Sequence, residues 1–219
     1  MKILVVFEKK ERLRHVGHLD LMRAMQRALR RSGVPVAFSQ GFNPHLLLTF
    51  AAPLSVGMSG LREVMEVPLS ADISEEEFKE KLRAALPPEL PCVAVRAVDD
   101  RHPAPMALLY AAAYRVTMLE QAEKTLAAIP DLMRKESVMM LKKTKSGEKM
   151  ADIRPMIYEL KPVDGSSFDC VLALCEAASC KPELLLDALA REAGLAERPR
   201  YRCVRTQLLG RDFMPLELL

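Results

Sequence analysis

Five residues able to bind an anion, move a proton or ligate a metal, Arg12, Arg14, His15, His18 and Asp20, fall within nine positions of one another. They stand just before and inside the first turn of a segment with helical apolar spacing. Exposed amides and the helix dipole favour negative charge at such a place, so phosphate is the natural ligand. A plainer account has Asp20 complementing the first turn, His18 capping or packing one turn before Met22, and the arginines solvated. His15, His18 and Asp20 are also metal-ligand types, but no second cluster supplies the rest of a coordination shell.

A second group follows at Ser39, Gln40, Gly41, Phe42, Asn43, Pro44 and His45. Gly and Asn tolerate positive φ, and Pro44 fixes the exit. A backbone bent this sharply offers unpaired amides, Phe42 could stack on a base, and Asn43 or Gln40 could hydrogen-bond its edge. In the plainer account this is a wide hairpin connection whose Phe42 returns to the core. His18, Asp20 and His45 together also allow an acid–base or metal-dependent enzyme site.

The third group is the basic hairpin Lys142 to Lys149, carrying Lys142, Lys143, Lys145 and Lys149 and leading into Asp152 and Arg154. Charge runs are usually solvated faces. Asp152 and Arg154, two apart on an extended chain, would point the same way and could pair. The two basic patches could converge in space, with Arg14, Arg23, Arg27 and Lys142 to Lys149 on phosphate and Phe42 with Asn43 on a base. Cys92, Cys170, Cys175, Cys180 and Cys203 form no C-x-x-C pair, so packing is the expected use of these thiols.

The elements that must position these groups follow from periodicity. Lys2 to Phe7 is a short apolar strand. His18 to Ser32 is a helix with Leu21, Met22, Met25, Ala28 and Leu29 inward, Arg23, Arg27, Arg30 and Arg31 outward, and Gly33 as its stop. Val34 to Phe38 and Leu46 to Phe50 read as strands flanking the loop, and Leu61 to Val67 as another. Ser74 opens a helix as a capping box with Glu77, Pro87-Pro88 ends it, and Cys92 to Val98 is a closing strand. The second half repeats the order more loosely. Its strands fall at 108–117, 138–143, 155–161, 168–174 and 201–208, with helices near Leu119 and at Pro182 to Glu192, and Lys145-Ser146-Gly147 turns between the 138–143 and 155–161 strands. The expected fold is α+β, two tandem ferredoxin-like βαββαβ units with antiparallel sheets. The expected domains are residues 1–100 and 108–219, with 101–107 as a proline-bearing linker.

Half of the 219 residues are hydrophobic and the net charge is +3. Positive charge gathers up to Phe50, whereas Arg62 to Asp100 is dominated by Glu and Asp. No segment reaches the roughly 20 apolar residues of a membrane span, and the opening apolar run is too short for a signal peptide. With the cysteine pattern, these features predict a cytoplasmic protein. There is no Walker loop, dinucleotide fingerprint, H-E-x-x-H or G-x-S-x-G, so those reaction classes lose their support.

Four separated motifs, RHVGHLDLMRAMQRALRR from Arg14, SGVPVAFSQGFNPHLLLTF from Ser32, PLSVGMS from Pro53 and DIRPMI from Asp152, together resemble the radical-SAM-linked family DUF2344. The chain departs from the family pattern at Gly17, where Ser is usual, and at Leu46-Leu47. Members stand alone or form the C-terminal part of larger radical SAM proteins, so the resemblance implies a radical SAM protein as partner. It brings no established activity. The chain lacks the C-x-x-x-C-x-x-C motif that holds a radical SAM cluster, so it resembles the partner module alone, with no cofactor of its own and no catalysis by itself. The architecture also looks like that of CRISPR repeat-processing endoribonucleases, but only Gly210 stands where those carry a glycine-rich loop. The resulting expectation is an accessory module that binds RNA or presents a substrate. A docking module without nucleic acid, or a small-molecule or metal-dependent enzyme, is the alternative.

Overall fold

Residues 1–144 and 147–219 are described by the computed structural model of this chain; Lys145 and Ser146, two residues of the predicted turn, lie outside them, as do the side chains of Lys143 and Thr144. The chain divides into two compact units, Met1–Leu109 with Gln207–Leu219, and Tyr110–Thr206. No helix among the described residues is long and apolar enough to cross a membrane.

In the first unit the apolar run forms β1 (Lys2–Lys9), with Ile3, Leu4, Val5, Val6 and Phe7 all buried. The elements that follow are α1 (His18–Ser32), β2 (Thr49–Phe50), β3 (Met58–Pro68), α2 (Glu75–Ala85), β4 (Cys92–Val98) and the one-turn α3 (Pro105–Leu108). Antiparallel pairing sets the order β4-β1-β3-β2. The sequence signals act where predicted. Leu21, Met25, Ala28 and Leu29 are buried, and Gly33 ends α1 at φ 69°, a left-handed conformation that favours Gly. Ser74 accepts the Glu77 amide at 3.2 Å.

Two predicted strands shrink. Val34 to Phe38 contributes only isolated bridges, Val36 to Leu69 and Phe38 to Leu46, and Leu46 to Phe50 retains only β2. Pro35 has no amide to donate, and the Val36 amide bonds locally to Val34 O at 2.9 Å. Residues 101–107, read from sequence as a linker, belong to the first unit. There Lys2 Nζ donates to His102 O at 3.2 Å. Residues 207–219 return to the same unit, where Arg62 pairs with the buried Glu217 carboxylate at 2.7 Å.

The second unit contains β5 (Ala111–Met118), α4 (Ala122–Ala127), α5 (Ile129–Arg134), β6 (Met139–Thr144), β7 (Gly147–Asp152), β8 (Ile157–Pro162), β9 (Ser167–Ala173), α6 (Pro182–Glu192) and β10 (Tyr201–Leu209), whose last three residues pass into the first unit. Its strand order is β10-β5-β9-β8. β6 pairs with β7 as a separate antiparallel hairpin. The 155–161 strand, expected across the turn from β6, instead pairs with β9. β7 is the return arm of the basic hairpin expected at Lys142 to Lys149, and it reaches Asp152 although GEKMAD has no apolar run to mark a strand.

Lys9 is the least expected residue of the core, being 1% exposed at the end of β1. Its ammonium donates to the carbonyls of Val16 at 2.9 Å, Arg14 at 3.3 Å and Met58 at 3.4 Å. A buried charge without such acceptors would be untenable. Lys9→Met removes the ammonium from these carbonyls, leaving Arg14 O with the Gly57 amide, and urea denaturation should show a loss of about 2–4 kcal/mol; an unchanged midpoint would mean the carbonyls find other donors.

Candidate functional site

The loop 39–45 is closed at its base by three contacts between its end residues. Ser39 N donates to His45 O at 2.9 Å, His45 N donates to Ser39 Oγ at 3.0 Å, and Ser39 Oγ shares a 2.7 Å hydrogen bond with His45 Nδ1. Gly41 turns the chain at φ 117°. Between the clamped ends Gln40, Gly41, Phe42, Asn43 and Pro44 are all exposed. Phe42 does not return to the core: its exposure is 106%. A bare phenyl ring on a pinned loop is an unfavourable use of apolar surface unless something covers it.

Helix α1 fixes where the loop stands. Gln26 Nε2 reaches Leu46 O at 3.4 Å, and the His18 ring packs edge-on against Phe50 with centroids 5.4 Å apart. Eight helical residues rise about 12 Å, and four extended steps cover about 13 Å. Residues 46–50 therefore run along α1 in the opposite direction, and the loop's base lies level with Gln26. Arg23, Arg27 and Arg30 are exposed around that level. Arg23 pairs with Asp20 at 3.1 Å, whereas Arg27 and Arg30 have no carboxylate partner among the described residues.

The predicted helix-start group is thus about 12 Å from the loop's base. Arg14 pairs with Glu11 at 2.7 Å, and its carbonyl accepts from Lys9 Nζ and from Gly57 N. Gly17 caps α1 without a side-chain bond. His18 on Phe50, Asp20 on Arg23 and His45 on Ser39 each have a separate neighbour, so the acid–base trio is not assembled. Among the described residues, no group of three His, Cys, Asp or Glu side chains is placed to hold a metal ion.

The remaining predicted residues lie in the second unit. Lys142 Nζ donates to Ser179 O at 2.5 Å; Lys145 is outside the described residues, and Lys143 is placed only by its backbone. Asp152 and Arg154 do not pair through their side chains in the way the spacing suggested. Asp152 Oδ1 accepts the amides of Val138 at 2.8 Å and Arg154 at 3.0 Å, while the Arg154 guanidinium donates to Ile157 O and Met133 O, both at 3.1 Å. They lock the root of the hairpin. The Val138 and Arg154 amides also hold the Asp152 carboxyl below its ordinary range. Cys92, Cys170, Cys180 and Cys203 are buried, Cys175 half-buried, and all are free. Burial pushes the Cys92 thiol up to about 11 and Cys180 up to about 12, the opposite of a reactive thiol.

A family profile described as "Uncharacterized protein conserved in bacteria (DUF2344)" matches residues 2–185. The chain belongs to this family. No curated protein matches this DUF2344 chain. Among solved structures, a chain in "Crystal Structure of a Cbf5-Nop10-Gar1 Complex" is similar over 94% of this chain at 10% identity, with a TM-score of 0.51. This chain spans 48% of that one's length. At that identity the likeness is one of fold, mixed α and β with mostly antiparallel sheet.

Two outcomes check the site's construction. Ser39→Ala removes the side-chain half of the loop closure, so the amides of Gln40 to Asn43 should exchange faster while global stability falls by less than about 1 kcal/mol; unchanged exchange would show that the backbone alone holds the loop. For Asp152, a depressed folded pKa means the hairpin root is intact above the unfolded value of about 3.9 and loosens as pH falls through the folded value. The Val138 amide shift, followed by NMR from pH 6 to 2, should therefore titrate with a midpoint below about 3.9, and Asp152→Asn should abolish the transition.

Proposed function

We propose that this DUF2344 chain is a non-catalytic module that binds RNA through the first unit and works in the cytoplasm beside a radical SAM enzyme. The observation that carries the RNA reading is the fully exposed Phe42 ring at the tip of a loop clamped by Ser39 and His45. An unpaired base offers a flat apolar face for that ring, and the Gln40 and Asn43 amides, exposed on either side, can hydrogen-bond its edge. Arg27 and Arg30, beside the loop's base and without carboxylate partners among the described residues, supply the phosphate contacts, with Arg23 and His18 nearer the start of α1 and Arg14 ahead of it. Arg154 and Asp152 drop out of the contact set, because both serve the hairpin root.

The association with a radical SAM enzyme rests on the motif resemblance, and the cytoplasmic location on free, buried thiols. The accompanying fold reading is a tandem of ferredoxin-like units. It is supported by the orders β4-β1-β3-β2 and β10-β5-β9-β8, in each of which the first and third of the four strands named lie side by side at the centre, the β6-β7 hairpin being set aside. A docking reading is favoured by one separate feature, Leu19 and Val56 at 64% and 61% exposure near the start of α1.

Filter binding of structured RNA across a salt series tests the RNA reading. Affinity should fall steeply with salt, Phe42→Ala should weaken it roughly tenfold, and Arg27→Ala should reduce the salt slope by about one. Affinity that is absent, or indifferent to salt, would sink the proposal.

A further inference from the structure

The loop of the first unit carries a second ring. Phe38, the residue just before the Ser39–His45 clamp, is 43% exposed, although its bridge partner Leu46 is buried. Phe42 stands at the tip, and four chain steps hold its Cα within about 13 Å of that of Phe38. Two phenyl groups meeting water this close together, one at the foot of a pinned loop and one at its tip, mark a contact surface. The side-chain amides of Gln40 and Asn43, exposed on either side of Phe42, have no hydrogen-bond partner among the described residues.

The stretch that bears these rings has charge of one sign. From Leu21 to Leu61 the chain holds four arginines, all on α1, and no Asp or Glu. Arg31 donates to Ala85 O, and Arg23 reaches back to Asp20. Arg27 and Arg30 are exposed and have no carboxylate partner among the described residues. Three apart on a helix, they are surface neighbours, and they stand beside the level of the loop's base.

These groups select among forms of RNA. In an A-form duplex the bases are stacked on one another, the major groove is too deep and narrow for side chains, and the shallow minor groove shows hydroxyls and base edges. A phenyl ring has no donor or acceptor for those groups, and the Watson–Crick edges that Gln40 and Asn43 could read are already paired. Unpaired nucleotides reverse both conditions: splayed bases present open faces to rings and free edges to amides. Resting on the RNA reading of this loop, we infer that its ligand is an unpaired RNA segment of at least two nucleotides, one base stacked on Phe42 and a second on Phe38, with the backbone passing Arg27 and Arg30. Continuous duplex does not fill the site.

Competition filter binding with the full chain at fixed salt is the test. Three RNAs serve as probes: a hairpin with an open loop, its stem alone as a blunt duplex, and oligouridine. The hairpin and oligouridine should bind, and the duplex should compete at least about tenfold less well. Phe42→Leu and Phe38→Leu keep an apolar side chain without a ring; each should weaken hairpin binding at least about fivefold and leave the weak duplex binding unchanged. Phe42→Tyr and Phe38→Tyr, which restore the ring, should bind as the unaltered chain does, and this separates loss of stacking from loss of fold. If RNA binds but the duplex competes equally, the RNA reading stands and this inference is overturned. The same holds if the leucine variants weaken hairpin and duplex alike, or weaken neither. If none of the three RNAs binds, both fall together.

Discussion

The ammonium of Lys9 is the contact on which the first unit's arrangement turns. β1 is the strand between β3 and β4, and at its end the side chain enters the interior instead of water. Its acceptors include the carbonyls of Arg14 and Val16, in the turn leading to α1, and of Met58, at the start of β3. Backbone carbonyls buried together repel and must be satisfied. A single cation satisfies all three, and so fixes the entry of the helix relative to the central strand. An uncharged side chain would leave the same turn without its centre.

Once the helix entry is fixed, residues 46–50 have little freedom. His18 meets Phe50 at one end and Gln26 meets Leu46 at the other, while Leu46 and Phe50 are buried in the core that α1 covers. The extended strip is matched in length to the helix it lies on. Its anchoring sets the position of His45, and through the Ser39 contact the whole loop. Phe42 is thus exposed by construction: both ends of its loop are held, and the intervening five residues are too few to fold the ring back beneath them.

Local signals were legible in the sequence, and long-range ones were not. The bounds of α1, α6 and β4 follow from apolar spacing, Gly33 and the proline flanks, all of which act within a few residues. Lys9 could not be read as buried, because a lysine after an apolar run ordinarily marks the run's solvated end. Glu217 meets Arg62 across 155 residues, and no periodicity reports such a contact. Of the site, Ser39 to His45 was legible as a loop from Gly41 and Pro44. The direction of Phe42 was not, since composition is the same for a ring that returns to the core and one that leaves it. Asp152 and Arg154 misled for a related reason: spacing puts two side chains on one side of an extended chain, but the backbone turns at the 3-10 segment Arg154–Met156, and both groups bond to the main chain.

The two basic regions that look alike in sequence differ in chemistry once folded. Around the loop in the first unit the cations are guanidinium groups beside an exposed aromatic ring and two amides, a set suited to planar, hydrogen-bonding ligands. On the hairpin the cations are ammonium groups and the exposed carbon is aliphatic or thioether. Ammonium groups are compact, hydrated charges that favour acidic partners without specifying their shape, and methionine adapts to whatever apolar side chain arrives. Positive charge is common to both regions and so cannot assign a ligand to either. The carbon and amide groups beside the charge make the distinction.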